Sequence, residues 1–261
     1  MPIYLYLDRG TLFHRFHPTV KVFGLFAVFW TVFWLDHPVA LAPVGALLLG
    51  VAHASRSWAN FRRLSWLLLL IVFFTSLVWI LFFRVGAPLA KVGPLWVSRA
   101  SLEFGLGRGL KLAELIATTI IFLSTTKVEE FSYGLRALGV PYRVGFAITL
   151  AFRLAPLFID SALEVVAAQS LRGHEFRRGG PLSRLRRYAP VMIPVFMGAL
   201  RKANNMAMAL EARGFGHSPR PTSFAEYRFT RSDLFALIAL SVLASASFLA
   251  YYLGWAGIKI R

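Results

Sequence analysis

The chain has 261 residues, of which 57% are hydrophobic and only 16% charged, with a formal net charge of +17 and no cysteine. A soluble domain is ordinarily about 45–50% apolar and about 25% charged, so lipid is the expected solvent for much of this one. Without cysteine there is no disulfide framework and no thiolate nucleophile or metal ligand.

Taken in chain order, Met1 to Tyr6 carry no charged lead and no small-residue cleavage site, so no removable signal peptide is expected. The apolar stretch 19–54 would rise about 54 Å as one helix, too far for a bilayer core of about 30 Å. Asp36-His37-Pro38 interrupts it and predicts a tight hairpin of two short spans. Residues 64–83, 106–125 and 234–253 supply three more apolar stretches of spanning length. At the head of the fourth, Gly105-Leu106-Gly107-Arg108-Gly109 lacks dinucleotide-fingerprint spacing and is expected to be a flexible lead-in. Lys111 and Glu114, three apart on one helix face, are expected to pair. The predicted fold is an all-α integral membrane protein with about five transmembrane helices. Residues 1–125 form the N-terminal arm and four spans, 126–232 a cytoplasmic module, and 233–261 the last span and tail.

Basic residues orient these spans. With the N-terminus inside, the inner face holds twenty-two lysines and arginines and the outer face five. The localisation expected is a cell membrane, crossed several times, with the N-terminus in the cytoplasm. The module 126–232 alone carries sixteen basic residues against seven acidic ones, which suits a surface beside anionic lipid. Arg184, Arg186 and Arg187 are assigned to lipid headgroups rather than to nucleic acid.

The module reads as three amphipathic helices. The first opens on the capping box Thr126-Lys127-Val128-Glu129 and stops at Gly139 and Pro141. The second runs from Tyr142 to Leu171, with Pro156 inside it, and is followed by a turn at 177–181. The third runs from near Leu182 to Ala212, with an apolar stripe of Phe196, Leu200, Ala203, Ala207 and Leu210. Helices two and three both end in an Arg-Gly doublet, Arg172-Gly173 and Arg213-Gly214. A glycine just past a helix takes the left-handed conformation that other residues resist. An arginine before it is held at the tip, with five donors in a planar fork suited to carboxylates or carbonyls of a partner.

No Gly-x-x-x-x-Gly-Lys-Ser/Thr phosphate loop occurs, so the chain is not expected to supply nucleotide energy. The six histidines show no ligand spacing. No catalytic residue, cofactor or metal site is assigned. A lipid-modifying enzyme would need clustered carboxylates or histidines, and Glu129-Glu130 is better explained as a helix N-terminus. A self-sufficient secondary carrier would show internal repeats among its spans, and none is found.

Several of these residues also carry a family resemblance. His14, Arg15, Pro18 and Lys21, then Leu138-Gly139-Val140-Pro141, then Ala168-Gln169-Ser170-Leu171-Arg172-Gly173 and Leu210-Glu211-Ala212-Arg213-Gly214-Phe215 follow one pattern over nearly the whole chain. With them the chain resembles the transmembrane (T) component of energy-coupling factor transporters. It departs from the pattern at His17 and Asn204-Asn205, where acidic residues are usual, and at Leu171, which replaces alanine. The resemblance implies a non-catalytic coupling subunit of an ATP-driven importer of a vitamin or a transition-metal ion. Its implied partners are two cytoplasmic ATP-binding-cassette ATPases and a separate substrate-binding membrane subunit, the S component. The ATPase contacts would be Arg172 and Arg213, with Leu171, Gly173, Ala212 and Gly214 shaping the tips.

Overall fold

The structure is a computed structural model that describes Tyr6 and residues 9–83, 88–92, 95–173, 181–217 and 227–255. The chain divides into two compact units, Met1–Pro141 with Tyr227–Arg261, and Tyr142–Glu226.

In the first unit the elements are α1 (Leu12–Arg15), α2 (Pro18–Trp34), α3 (Pro38–Ala54), α4 (Trp58–Phe82), a hairpin of β1 (Pro88–Val92) and β2 (Leu95–Ser98), α5 (Arg99–Thr125), α6 (Val128–Ala137) and α9 (Arg231–Tyr252). The antiparallel hairpin pairs Lys91 with Trp96 and is the one small β element among the described residues. The second unit holds α7 (Tyr142–Leu171) and α8 (Pro181–Ala212).

The interruption at Asp36 to Pro38 separates α2 from α3, and both helices begin with the same His-Pro device. His17 and His37 are N-caps whose Nδ1 atoms accept the Thr19 and Val39 backbone N–H groups, at 3.3 and 3.2 Å. The proline that follows each has no N–H to leave unpaired. At 17 residues each, α2 and α3 rise about 25 Å, short of a full core thickness. Their buried faces (Val28, Val32, Leu35, Leu41, Val44 and Leu48) meet Ile121 of α5. At the far end of α2, Trp34 packs against Phe248 and Tyr251 of α9, with ring centroids 5.1 and 4.8 Å apart. Such aromatic clusters sit at membrane–water boundaries.

Three described helices are long and apolar enough to cross a membrane, α4, α7 and α9. The 27-residue α5 is not one of them, because it starts at Arg99 and carries Glu103, Arg108, Lys111 and Glu114. It packs against α2, α3 and α4, which cover Glu114 and most of the Lys111 side chain with protein. By contrast, the spanning stretch of α4 exposes most of its length, and its residues are apolar around the whole circumference.

Two expectations about α5 are corrected. Gly105 to Gly109 is helix, not a flexible lead-in, and a side chain at Gly105 or Gly109 would overlap Ile80 or Ser76 of α4. The four-residue spacing is the small-residue pattern that lets two backbones approach. Lys111 pairs not with Glu114 but with Asp36 Oδ1 at 3.0 Å, and its Nζ also donates to the Phe33 carbonyl at 2.6 Å. Glu114 is instead buried against Gly45 of α3, with Oε2 unpartnered among the described residues. Of the turn expected at 177–181, residues 177–180 lie outside the described residues, as do the side chains of Arg184, Arg186 and Arg187, and Pro181 is the first residue of α8.

Gly109→Val should therefore force α4 and α5 apart, at a cost of roughly 1–3 kcal/mol. Gly50→Ala on α3, where a methyl group meets open space, should be neutral. Thermal unfolding of the detergent-purified variants, followed by size-exclusion profile, checks the pair.

Candidate partner interface at two helix ends

α7 and α8 each run to the doublet expected to close it. At the end of α8 the Gly214 N–H donates to the Glu211 carbonyl at 2.8 Å and the Phe215 N–H to the Leu210 carbonyl at 2.9 Å. These two bonds form a Schellman motif, which satisfies carbonyls the last turn leaves open. At the end of α7 the Gly173 N–H donates to the Ser170 carbonyl at 3.0 Å. Gly173 and Gly214 have φ of +84° and +74°, a conformation costing a side-chain-bearing residue about 1–2 kcal/mol.

The same closure occurs at Gly139 and Gly254 in the first unit. Geometry alone therefore does not single out the Arg-Gly ends. What differs is the residue before the glycine, Leu138 and Leu253 in the first unit, Arg172 and Arg213 in the second. Both arginines are exposed, as are Gly173, Ala212 and Gly214, and Leu171 is 91% exposed. Neither guanidinium forms an ion pair among the described residues. The helix ends hold two cations in solvent without a counter-charge from the described chain.

One residue that the sequence reading named in the family pattern but gave no role sets the spacing of the tips. Phe215 packs on Phe146 and Tyr142 at the start of α7, with ring centroids 4.4 and 6.0 Å apart. The Arg213 tip thus lies beside the beginning of α7, and the Arg172 tip lies at its end. About 40 Å of helix separates them, at 1.5 Å per residue. The signal for this pin was an aromatic residue directly after Arg-Gly and two more at the head of α7.

Other candidate groups are used locally. The helix expected from a box at Thr126 starts one residue later, with Lys127 as N-cap, and Glu130 rather than Glu129 accepts the N-cap N–H. The Thr126 hydroxyl has no partner among the described residues. Glu130 is also committed to Lys21, at 2.6 Å. His14 Nδ1 lies 2.7 Å from Thr11 Oγ1.

A family model described as a cobalt transport protein matches residues 9–223. The chain belongs to that family, the transmembrane components of energy-coupling factor transporters. It is 27% identical over 256 residues to the energy-coupling factor transporter transmembrane protein of Thermosediminibacter oceani, covering 95% of this chain and 97% of that one. To its namesake in Bacillus subtilis it is also 27% identical over 256 residues, covering 93% and 95%. A putative ABC transporter ATP-binding protein of Bifidobacterium longum is 26% identical over 246 residues, which are 90% of this chain but 31% of that longer protein. The protein is a membrane subunit of an energy-coupling factor transporter.

Replacing Gly214 by valine should fray the end of α8, because a β-branched residue resists positive φ. Amide exchange of the peptide covering 210–216 should accelerate by about tenfold, the equivalent of about 1.4 kcal/mol. Gly198→Ala, in open space within the same helix, should leave it unchanged.

Proposed function

We propose that the chain is the non-catalytic coupling scaffold of an ATP-driven importer, with its N-terminus in the cytoplasm. Its two Arg-Gly tips each engage one of two ATP-binding-cassette ATPases, and its membrane helices hold a separate substrate-binding subunit. ATP binding in the ATPase pair moves the tips, and the second unit carries that motion to the substrate subunit, which releases a vitamin or a metal ion inward.

The observation that carries this reading is the pair of exposed arginine tips, without an ion pair among the described residues, one at the end of the 30-residue α7 and one beside its start. Two sockets about 40 Å apart suit two motor subunits better than one. The relative from Bifidobacterium longum adds support, because a stretch like this chain is part of a polypeptide named as ATP-binding.

The scheme requires both tips on one side of the membrane, so α7 must lie along the surface although its length and hydropathy would permit a crossing. Every 20-residue window of α7 contains both Arg153 and Asp160. Both are exposed, and neither forms an ion pair among the described residues. A charge at the bilayer centre costs about 2.5–3.5 kcal/mol even on the lenient insertion scale. At the interface the same helix puts its apolar residues into the acyl boundary and its charges into water. Met192, Ile193 and Phe196 of α8 are each more than 60% exposed, which fits the same placement or contact with a partner.

Arg172→Ala with Arg213→Ala should remove roughly 2–5 kcal/mol of ATPase association per desolvated contact. The co-expressed ATPases should then no longer co-purify with the chain, while the variant still inserts in the membrane. Wild-type recovery of active ATPases on the double variant would contradict the proposal.

A further inference from the structure

Lys21 is 9% exposed at the start of α2, and all three of its ammonium N–H groups are used. Nζ donates to the His14 carbonyl at 2.8 Å, the Thr125 carbonyl at 3.0 Å and Glu130 Oε2 at 2.6 Å. The two carbonyls lie at the C-terminal ends of α1 and α5, where carbonyls lack intrahelical partners and the helix dipole favours a cation. Glu130 comes from α6. One buried ammonium therefore joins three helices that sequence separates by up to 109 positions.

The neighbouring contacts on α6 point the same way. Gly134, one turn beyond Glu130, lies against the Pro18 carbonyl and Val22 so closely that a methyl group would be 2.6 Å from the Val22 side chain. Tyr133 meets the His17 ring at 5.7 Å, and the His17 backbone N–H donates to Asp233 Oδ1 of α9 at 2.8 Å. Residues 17–22 thus hold α6 by a charge, a ring contact and a backbone-close fit. Leu138 and Gly139 form the closing turn, Val140 and Pro141 lie outside any helix, and α7 begins at Tyr142. A few residues between helix ends can absorb large backbone rotations.

We infer that Lys21 is a positioning residue that makes α6 a stationary part of the membrane unit, so that motor-driven motion of α7 is taken up at 138–141. The role in transport rests on the proposed function, whereas the clasp itself does not. Were α6 free, it would swing with α7 and dissipate the displacement delivered at Arg172.

The absence of cysteine allows spin labels to be placed in pairs and their distances measured in nanodiscs. One label goes on Arg63 of α4 and the other on Ala137 of α6, Ser232 of α9 or Ala167 of α7, all four exposed. In the chain alone, the 63–137 pair is expected to give a single narrow distance. Glu130→Ala, which leaves both carbonyl bonds of Lys21 in place, should abolish it while 63–232 stays narrow. Lys21→Met should abolish it too, and Lys21→Arg should retain it. In the complex with its ATPases, ATP should shift 63–167 and leave 63–137 fixed. The inference is overturned if Glu130→Ala keeps 63–137 narrow or broadens 63–232 equally. It is also overturned if ATP shifts 63–137 in the wild-type chain as far as 63–167. Failure of the wild-type chain to bind ATPases would contradict the proposed function, while the measurements on the chain alone still decide the clasp.

Discussion

A 30-residue helix rises about 45 Å, enough to cross a bilayer, yet no spanning window of α7 avoids Arg153 and Asp160. That single conflict between length and charge governs what the rest of the second unit can do. With α7 along the surface, its two ends share a compartment, and the Arg172 tip and the Phe215-pinned Arg213 tip can both reach cytoplasmic motors. With α7 across the membrane, the ends would face opposite compartments. The desolvation cost of two charges in the bilayer core favours the surface, and the coupling scheme depends on that preference.

The first unit resolves the same conflict differently. Its α5 also carries charges too frequent for a lipid-facing span, but α2, α3 and α4 pack around it. Lys111 and Arg108 meet Asp36 at the turn between α2 and α3, and Lys21 meets Glu130 at the opposite end of α2. Ion pairs thus cluster at the two ends of the bundle, and the apolar α4 takes the lipid contact. Polar groups inside a membrane protein are costly unless they find partners, and helix packing supplies them here for Lys21, Arg108 and Lys111.

Much of this was legible in the sequence wherever the cause is local. Proline after histidine starts α2 and α3, and glycine after arginine ends α7 and α8. Both signals rest on the conformations of two adjacent residues, and the helix boundaries follow them closely. The Leu138 and Leu253 ends show the limit of that signal, since they fold alike and lack the cation. What was not legible is distant in sequence. Lys111 chose Asp36, 75 positions away, over Glu114, three away, because packing brought the α2–α3 turn beside α5. Gly105 and Gly109 looked like a flexible lead-in because their reason for being small is Ser76 and Ile80 on another helix. Lys21 entered the sequence reading only as one residue of the family pattern, and the fold shows it buried among three acceptors.

The sidedness of the two tips tests the account most directly. Single cysteines placed at Ala168 beside the first tip and at His217 beside the second can be reacted with a membrane-impermeant maleimide in oriented membrane vesicles carrying the transporter. Both positions should label from the cytoplasmic side alone, and to a similar extent. Labelling of one from the cytoplasm and the other from outside would put α7 across the bilayer and contradict the scheme.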